Sequence, residues 1–154
     1  MRSCSRCCAS PRSGTDQRSS RVWRLWRIDD SARGIWRRGE RAAAWRMRRA
    51  GCGVIARNLR LGPGEIDLLC RHRRTGCYVL VEVKARIVSD GPWRPEDQLT
   101  AAKRRKLLQL ARTLRREERV RRAGLRIDLV AVEFERGKRR PVAVRHYEDA
   151  VTGG

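Results

Sequence analysis

The chain has 154 residues, enough for one domain of ordinary size, and a formal net charge of +21 from 38 Lys plus Arg against 17 Asp plus Glu. No run approaches the ~20 apolar residues that a membrane span needs, and the arginine-rich N-terminus lacks the apolar stretch of a secretory signal. That balance favours a polyanionic partner, nucleic acid first, and arginine supplies nearly all of it, the lysines being Lys84, Lys103, Lys106 and Lys138.

Residues 1 to 34 carry Ser, Gly and Arg with scattered Trp23 and Trp26, and show neither helical nor strand periodicity. They read as a disordered or loosely attached basic extension ahead of a domain over 35–154. Cys4, Cys7 and Cys8 lack the second ligand pair of a structural zinc site. Cys52, Cys70 and Cys77 fall inside predicted core elements, so reduced thiols in a cytoplasmic protein are expected.

From Ile35 the pattern tightens. Trp36, Ala43, Ala44 and Met47 fall at helical spacing, and Gly51 is a ready stop. Glu40 lies on the same stripe. It either approaches an acidic cluster from this helix or is a carboxylate favoured by the helix N-terminus.

Val54 to Leu61 reads as a strand, Gly62-Pro63-Gly64 as a turn, and Gly64 to Arg86 as a β-hairpin with its tip at Arg73 to Gly76. In that register His72 faces Cys77, which sets Asp67 across from Glu82. Like charges directly opposed are destabilising, so something must offset them. Side chains alternate with period two, so Lys84 shares a face with Glu82, while Val79, Val81 and Val83 form an apolar opposite face. Magnesium takes one or two carboxylates and completes its shell with water and substrate phosphate. Asp67 and Glu82 are therefore candidate metal ligands for phosphodiester hydrolysis, with Lys84 orienting water or stabilising developing charge. The other reading is a solvated face with an ordinary Glu-Lys pair.

Ser89 to Glu96 is a polar loop containing Trp93. Leu99 to Glu118 is the strongest helix, with Leu107, Leu110, Ala111 and Leu114 as its stripe and Thr100 or Asp97 as its cap. Lys103 and Lys106 stand at its positive end, where phosphate is favoured, or else belong to a solvated face. Leu125 to Glu133 and Pro141 to Tyr147 read as strands, with Asp128 taken as a structural hydrogen-bonding or ion-pairing residue. The order α-β-β-β-α-β-β predicts an α/β fold with a mixed central β-sheet flanked by helices.

Seven strings recur in order from about Gly39 to Val151: Gly39-Glu40 before an alanine-rich helix, Ala56-Arg57-Asn58, Gly64-Glu65-Ile66-Asp67-Leu68, Val81 to Arg86, Thr100-Ala101-Ala102-Lys103, Arg126 to Val130, and His146 to Ala150. Together they resemble the YraN-like family of bacterial proteins. That family is similar to the restriction-endonuclease-like superfamily with the PD-(D/E)xK core and to archaeal Holliday-junction resolvases. The resemblance implies that Asp67 is the motif aspartate, Glu82 and Lys84 the E-x-K pair, Glu40 a helix-borne acid of the site, and Lys103 a phosphate contact. One departure is the motif proline: Pro63 lies four residues before Asp67, and Ile66 stands immediately before it.

The expectation is a magnesium- or manganese-dependent endonuclease acting on DNA, including branched or structured DNA. Glu40, Asp67, Glu82 and Lys84 would be catalytic, and Lys103 and Lys106 would hold phosphates. The rival is a nucleic-acid-binding module that keeps the fold without chemistry. Resolvases of this architecture act as dimers, so a homodimer is implied without an identified interface.

Overall fold

A computed structural model of the chain describes residues 34–62, 64–88 and 94–152. The N-terminal extension with Cys4, Cys7, Cys8, Trp23 and Trp26, and the positions of Pro63 and Trp93, lie outside the described residues.

Helix α1 (Ile35–Arg49) ends where Gly51 takes φ 80°, a backbone state open to glycine at little cost, and the Gly51 N–H donates to the Arg48 carbonyl at 3.1 Å. Its buried stripe is Gly39, Ala43, Ala44 and Met47. Trp36, expected on that stripe, is instead 47% exposed. The reason is the closeness of the helix to the sheet. A methyl group added at Gly39 would overlap the Ala85 Cβ, so small residues make this contact and a wide indole one turn earlier has no room beneath the helix. Gly39→Ala should therefore destabilise by about 1–3 kcal/mol in urea unfolding, and Ala85→Gly in the same chain should recover part of the loss.

Five strands follow: β1 (Cys52–Leu61), β2 (Gly64–His72), β3 (Tyr78–Ile87), β4 (Leu125–Phe134) and β5 (Pro141–Tyr147). They form one sheet in the order β1-β2-β3-β4-β5. The pairs β1/β2, β2/β3 and β4/β5 are antiparallel, and β3/β4 is parallel because a helical crossover separates those strands. The sheet is thus mixed, flanked by helices, and of the α/β class.

The crossover holds a 3₁₀ turn (Pro95–Gln98), helix α2 (Ala101–Leu114) and a short helix α3 (Glu118–Ala123). The single helix expected over Leu99 to Glu118 is shorter at both ends. Thr100 caps it, its hydroxyl accepting from the Lys103 N–H at 3.2 Å, while the Asp97 carboxylate serves the 3₁₀ turn by accepting from the Arg94 N–H at 2.7 Å. Beyond Leu114 the chain turns and restarts as α3, which buries Val120.

Two cores lie on the two faces of the sheet. On one, α2 buries Leu107, Leu110, Ala111 and Leu114 against Leu69, Leu80, Ile127 and Leu129. On the other, α1 buries Ala43, Ala44 and Met47 against Leu68, Val79, Val81, Val83, Val130 and Val132. Burying each large aliphatic side chain contributes about 1.5–3 kcal/mol. The expected apolar face of Val79, Val81 and Val83 is therefore one of two buried faces, and β3 is central. Every polar side chain on β3 must consequently find a partner or reach the open end of the strand.

Candidate active site

The β2/β3 register follows the hairpin reading, with Arg71 opposite Tyr78 and Leu68 opposite Val81. The ladder stops one step before Asp67 would face Glu82. There the Asp67 carboxylate replaces the missing backbone partner, Oδ2 accepting from the Val83 N–H at 2.7 Å. This bond pins Asp67 beside the point where Glu82 leaves the strand.

Glu82 is 2% exposed, so it does not belong to a solvated face. Its Oε1 lies 2.9 Å from the Lys84 Nζ and 2.9 Å from the Lys103 Nζ. Lys84 reaches it because i and i+2 share a face of the strand. Lys103 reaches it because the Thr100 cap sets the first turn of α2 over the sheet. The second oxygen, Oε2, is buried with no partner among the described residues. An unpaired buried carboxylate oxygen is costly unless a cation or a donor is meant to meet it.

Burial, and next the negative charge of Glu82, push the Asp67 carboxyl up to about 7, against the pull of the Val83 N–H and of Lys103. Two acids close together in a site largely withdrawn from solvent cannot both ionise at little cost. Two ammonium groups offset part of that cost, and both lie on one oxygen of Glu82.

Glu40 stands beside this group rather than inside it. Its Oε2 accepts from the Asn58 side-chain amide at 3.1 Å, and burial, partly offset by that bond, raises its pKa. The expected convergence of three acids is thus a pair with a charged neighbour: among the described residues no three His, Cys, Asp or Glu side chains gather to hold a metal. Lys106, one turn beyond Lys103, does not join Glu82; its aliphatic stem lies over Gly64. Asp128 is on the other face of the sheet, fully buried. It accepts from the Arg126 Nη2 at 3.1 Å and the Asp149 N–H at 3.0 Å, and lies 2.8 Å from the His146 Nε2.

Two residues near the site carry roles that their residue types alone did not reveal. Asn58 takes φ 47° inside β1, a left-handed state that asparagine tolerates better than most, and this turns its amide toward Glu40. Arg86 continues the row Glu82, Lys84 toward the open end of β3, its Nε 3.7 Å from the Glu133 Oε1. Glu133 in turn receives the Arg145 Nη1 at 2.9 Å, and Arg145 also grips Glu96 through two bonds of 2.9 Å. These ion pairs tie the 3₁₀ turn and β5 to the edge of the site.

The chain matches the model of the uncharacterised protein family UPF0102 over residues 39–132, which spans α1 through β4 and so includes Glu40, Asp67, Glu82, Lys84, Lys103 and Lys106. The chain belongs to the UPF0102 family. Relatives include a UPF0102 protein of Rhodopirellula baltica, 36% identical over 128 residues that cover 83% of this chain and 75% of the relative. Another, from Clavibacter michiganensis, is 40% identical over 110 residues, covering 71% of this chain and 91% of the relative. Among solved structures, SfsA of Pyrococcus furiosus in complex with Ca2+ is similar at 16% identity and a TM-score of 0.28, over 64% of this chain and 54% of that one. Within this UPF0102 member the group is two carboxylates, which alone could ligate a cation, and two ammonium groups, which have no lone pair to offer one and pair with Glu82.

Proposed function

We propose that this UPF0102 protein hydrolyses phosphodiester bonds in nucleic acid, DNA first and branched or structured DNA included, with a magnesium or manganese ion held by Asp67 and Glu82. The observation that carries the reading is the buried Glu82 carboxylate, whose Oε1 is shared by Lys84 and Lys103 while Oε2 has no described partner, next to an Asp67 pushed up to about 7. Such a pair is unfavourable alone and favourable around a divalent cation.

When bound, the ion would polarise a phosphoryl oxygen and lower the pKa of a coordinated water. Asp67 would hold the ion as a carboxylate, so occupancy would rise as pH passes about 7. Lys84 and Lys103, held within 2.9 Å of Glu82, supply fixed positive charge where a phosphorane would gather negative charge. Lys84, two residues from Glu82 on the same face of β3, would orient the attacking water. Glu40 tunes the field at Asp67 from the side. Lys106 and the exposed arginines of α2 hold flanking phosphates, a contribution that weakens linearly in log affinity as log salt rises.

A specific observation favours a second reading. Both lysines already sit on one oxygen of Glu82, which also describes a structural Lys-Glu-Lys triad in a nucleic-acid-binding module without chemistry. Magnesium-dependent nicking of junction, flap and plain duplex DNA, compared between the wild type and Lys84→Ala, separates the two. Hydrolysis predicts cutting that falls by about 10²–10³ in the variant while binding persists. Binding by both with cutting by neither leaves the module.

A further inference from the structure

The cleft between α1 and the β4–β5 hairpin lies on the face of the sheet away from Glu82. It has a volume of about 760 Å³ and is walled by Arg38, Arg41, Arg139, Arg140, Trp45 and Phe134. Among the described residues no acidic side chain lines it. Arg38 is committed to the fold: its guanidinium lies 5.1 Å from the Phe134 ring centroid, and its Nη1 donates to the Lys138 carbonyl at 2.9 Å. Arg41, Arg139 and Arg140 are exposed, and among the described residues none of their side chains has a hydrogen bond or ion pair. Trp45 is 56% exposed at the wall of the same cleft, with the Arg49 guanidinium 4.9 Å from its ring.

An exposed indole costs hydration and three converging cations repel one another, so the fold gains nothing from leaving this arrangement open. A simple anion would use the arginines and ignore the indole and the apolar floor of Ala42, Pro141 and Val144. A double helix presents phosphates but keeps its bases stacked inside. A single strand offers both at once, phosphates to a basic groove and a base face to an aromatic ring. A membrane surface calls for a protruding aromatic rather than one in the wall of a concavity.

We propose that this cleft binds single-stranded nucleic acid, with phosphates on Arg41, Arg139 and Arg140 and a base stacked on Trp45. The site is separate from the Asp67/Glu82 group and does not depend on it. The strand runs between α1 and the β4–β5 hairpin, held by charge along its backbone and by stacking at one point, with little sequence preference.

The test is fluorescence anisotropy of the full chain, in chelator and without divalent metal, against labelled thymidine and uridine strands about twelve nucleotides long and an abasic strand of equal length. Trp45→Ala should weaken binding of a base-bearing strand about tenfold and leave the abasic strand unchanged. Replacing Arg41, Arg139 and Arg140 together by Gln should lower the salt slope of log affinity by about 2, at roughly 0.7 per phosphate. All four positions are exposed, so the variants should fold, and circular dichroism checks this. Dependence on Trp45 with either sugar supports the site. The proposal is overturned if wild type binds base-bearing and abasic strands alike, as unspecific attraction to a chain of net charge +21 would give. It is equally overturned if Trp45→Ala binds both strands as wild type does, or if it loses affinity only for vesicles of anionic phospholipid. No cleavage enters the assay, so a negative result leaves the hydrolytic reading standing, and an inactive Asp67 site leaves this one.

Discussion

Asp67→Asn should abolish metal-dependent cleavage, by at least about 10³, and at the same time make the protein more stable above neutral pH. The two effects share one cause. The Asp67 carboxyl is pushed from 3.8 up to about 7, first by burial and then by Glu82. Its unfolded pKa is lower than its folded one, so the folded state binds more protons between those values. Stability contributed by this group is therefore full below about 4, falls as pH rises toward 7, and stays low above it, the reverse of an ordinary salt-bridged carboxylate. Asparagine keeps an oxygen to accept from the Val83 N–H and removes the charge. Thermal unfolding at pH 8 in chelator should rise by several degrees, on the order of 2 kcal/mol, and lose its slope between pH 4 and 7. Manganese should then raise the unfolding temperature of the wild type and leave the variant unmoved. A variant less stable than wild type at pH 8 would mean that Asp67 is a satisfied structural carboxylate.

Glu82→Gln should cost about 2–3 kcal/mol at pH 8, because it leaves Lys84 and Lys103, both mostly buried, without their shared counter-charge. The more telling result is the double variant. Glu82 is one of the charges that hold the Asp67 carboxyl protonated, so in Glu82→Gln that carboxyl ionises more readily and becomes the anion left for the two lysines. Asp67→Asn, stabilising in the wild-type background, should turn neutral or destabilising in the Glu82→Gln background. Urea unfolding of the four proteins gives this coupling directly. Additive effects would show that the two acids do not sense each other.

The fold was legible wherever periodicity or turn chemistry is local. The hairpin tip at Arg73 to Gly76 fixed the β2/β3 register, and alternation from Glu82 placed Lys84 on its face. The Ala43, Ala44 and Met47 stripe and the Gly51 stop were equally plain. Trp36 was not, because its exposure follows from how near Gly39 brings α1 to Ala85, a distance between elements that no helical spacing encodes. The start of the second helix was ambiguous because both Asp97 and Thr100 can cap: Asp97 serves the 3₁₀ turn and Thr100 serves α2, with Leu99 buried between them.

At the site, local pattern supplied Asp67, Glu82 and Lys84. Lys103 meets Glu82 across 21 positions of chain, which spacing does not reveal and which entered only through a likeness of motifs. Glu40 shows the limit of that likeness. Its place on the inward stripe suggested a third acid of the cluster, yet the left-handed Asn58 captures its carboxylate. Asp128, read as a hydrogen-bonding or ion-pairing residue, is one: Arg126 shares its strand face two residues earlier, while His146 is brought to it by the β4/β5 pairing, which spacing does not reveal.

If Asp67 and Glu82 form a divalent-cation site, crystals soaked in manganese at pH 8 should show it by anomalous scattering. One strong peak is expected about 2.1 Å from oxygens of both Asp67 and Glu82, with Oε2 of Glu82 among them, and no such peak in Asp67→Asn. Saturating manganese with no peak between the two carboxylates would contradict it.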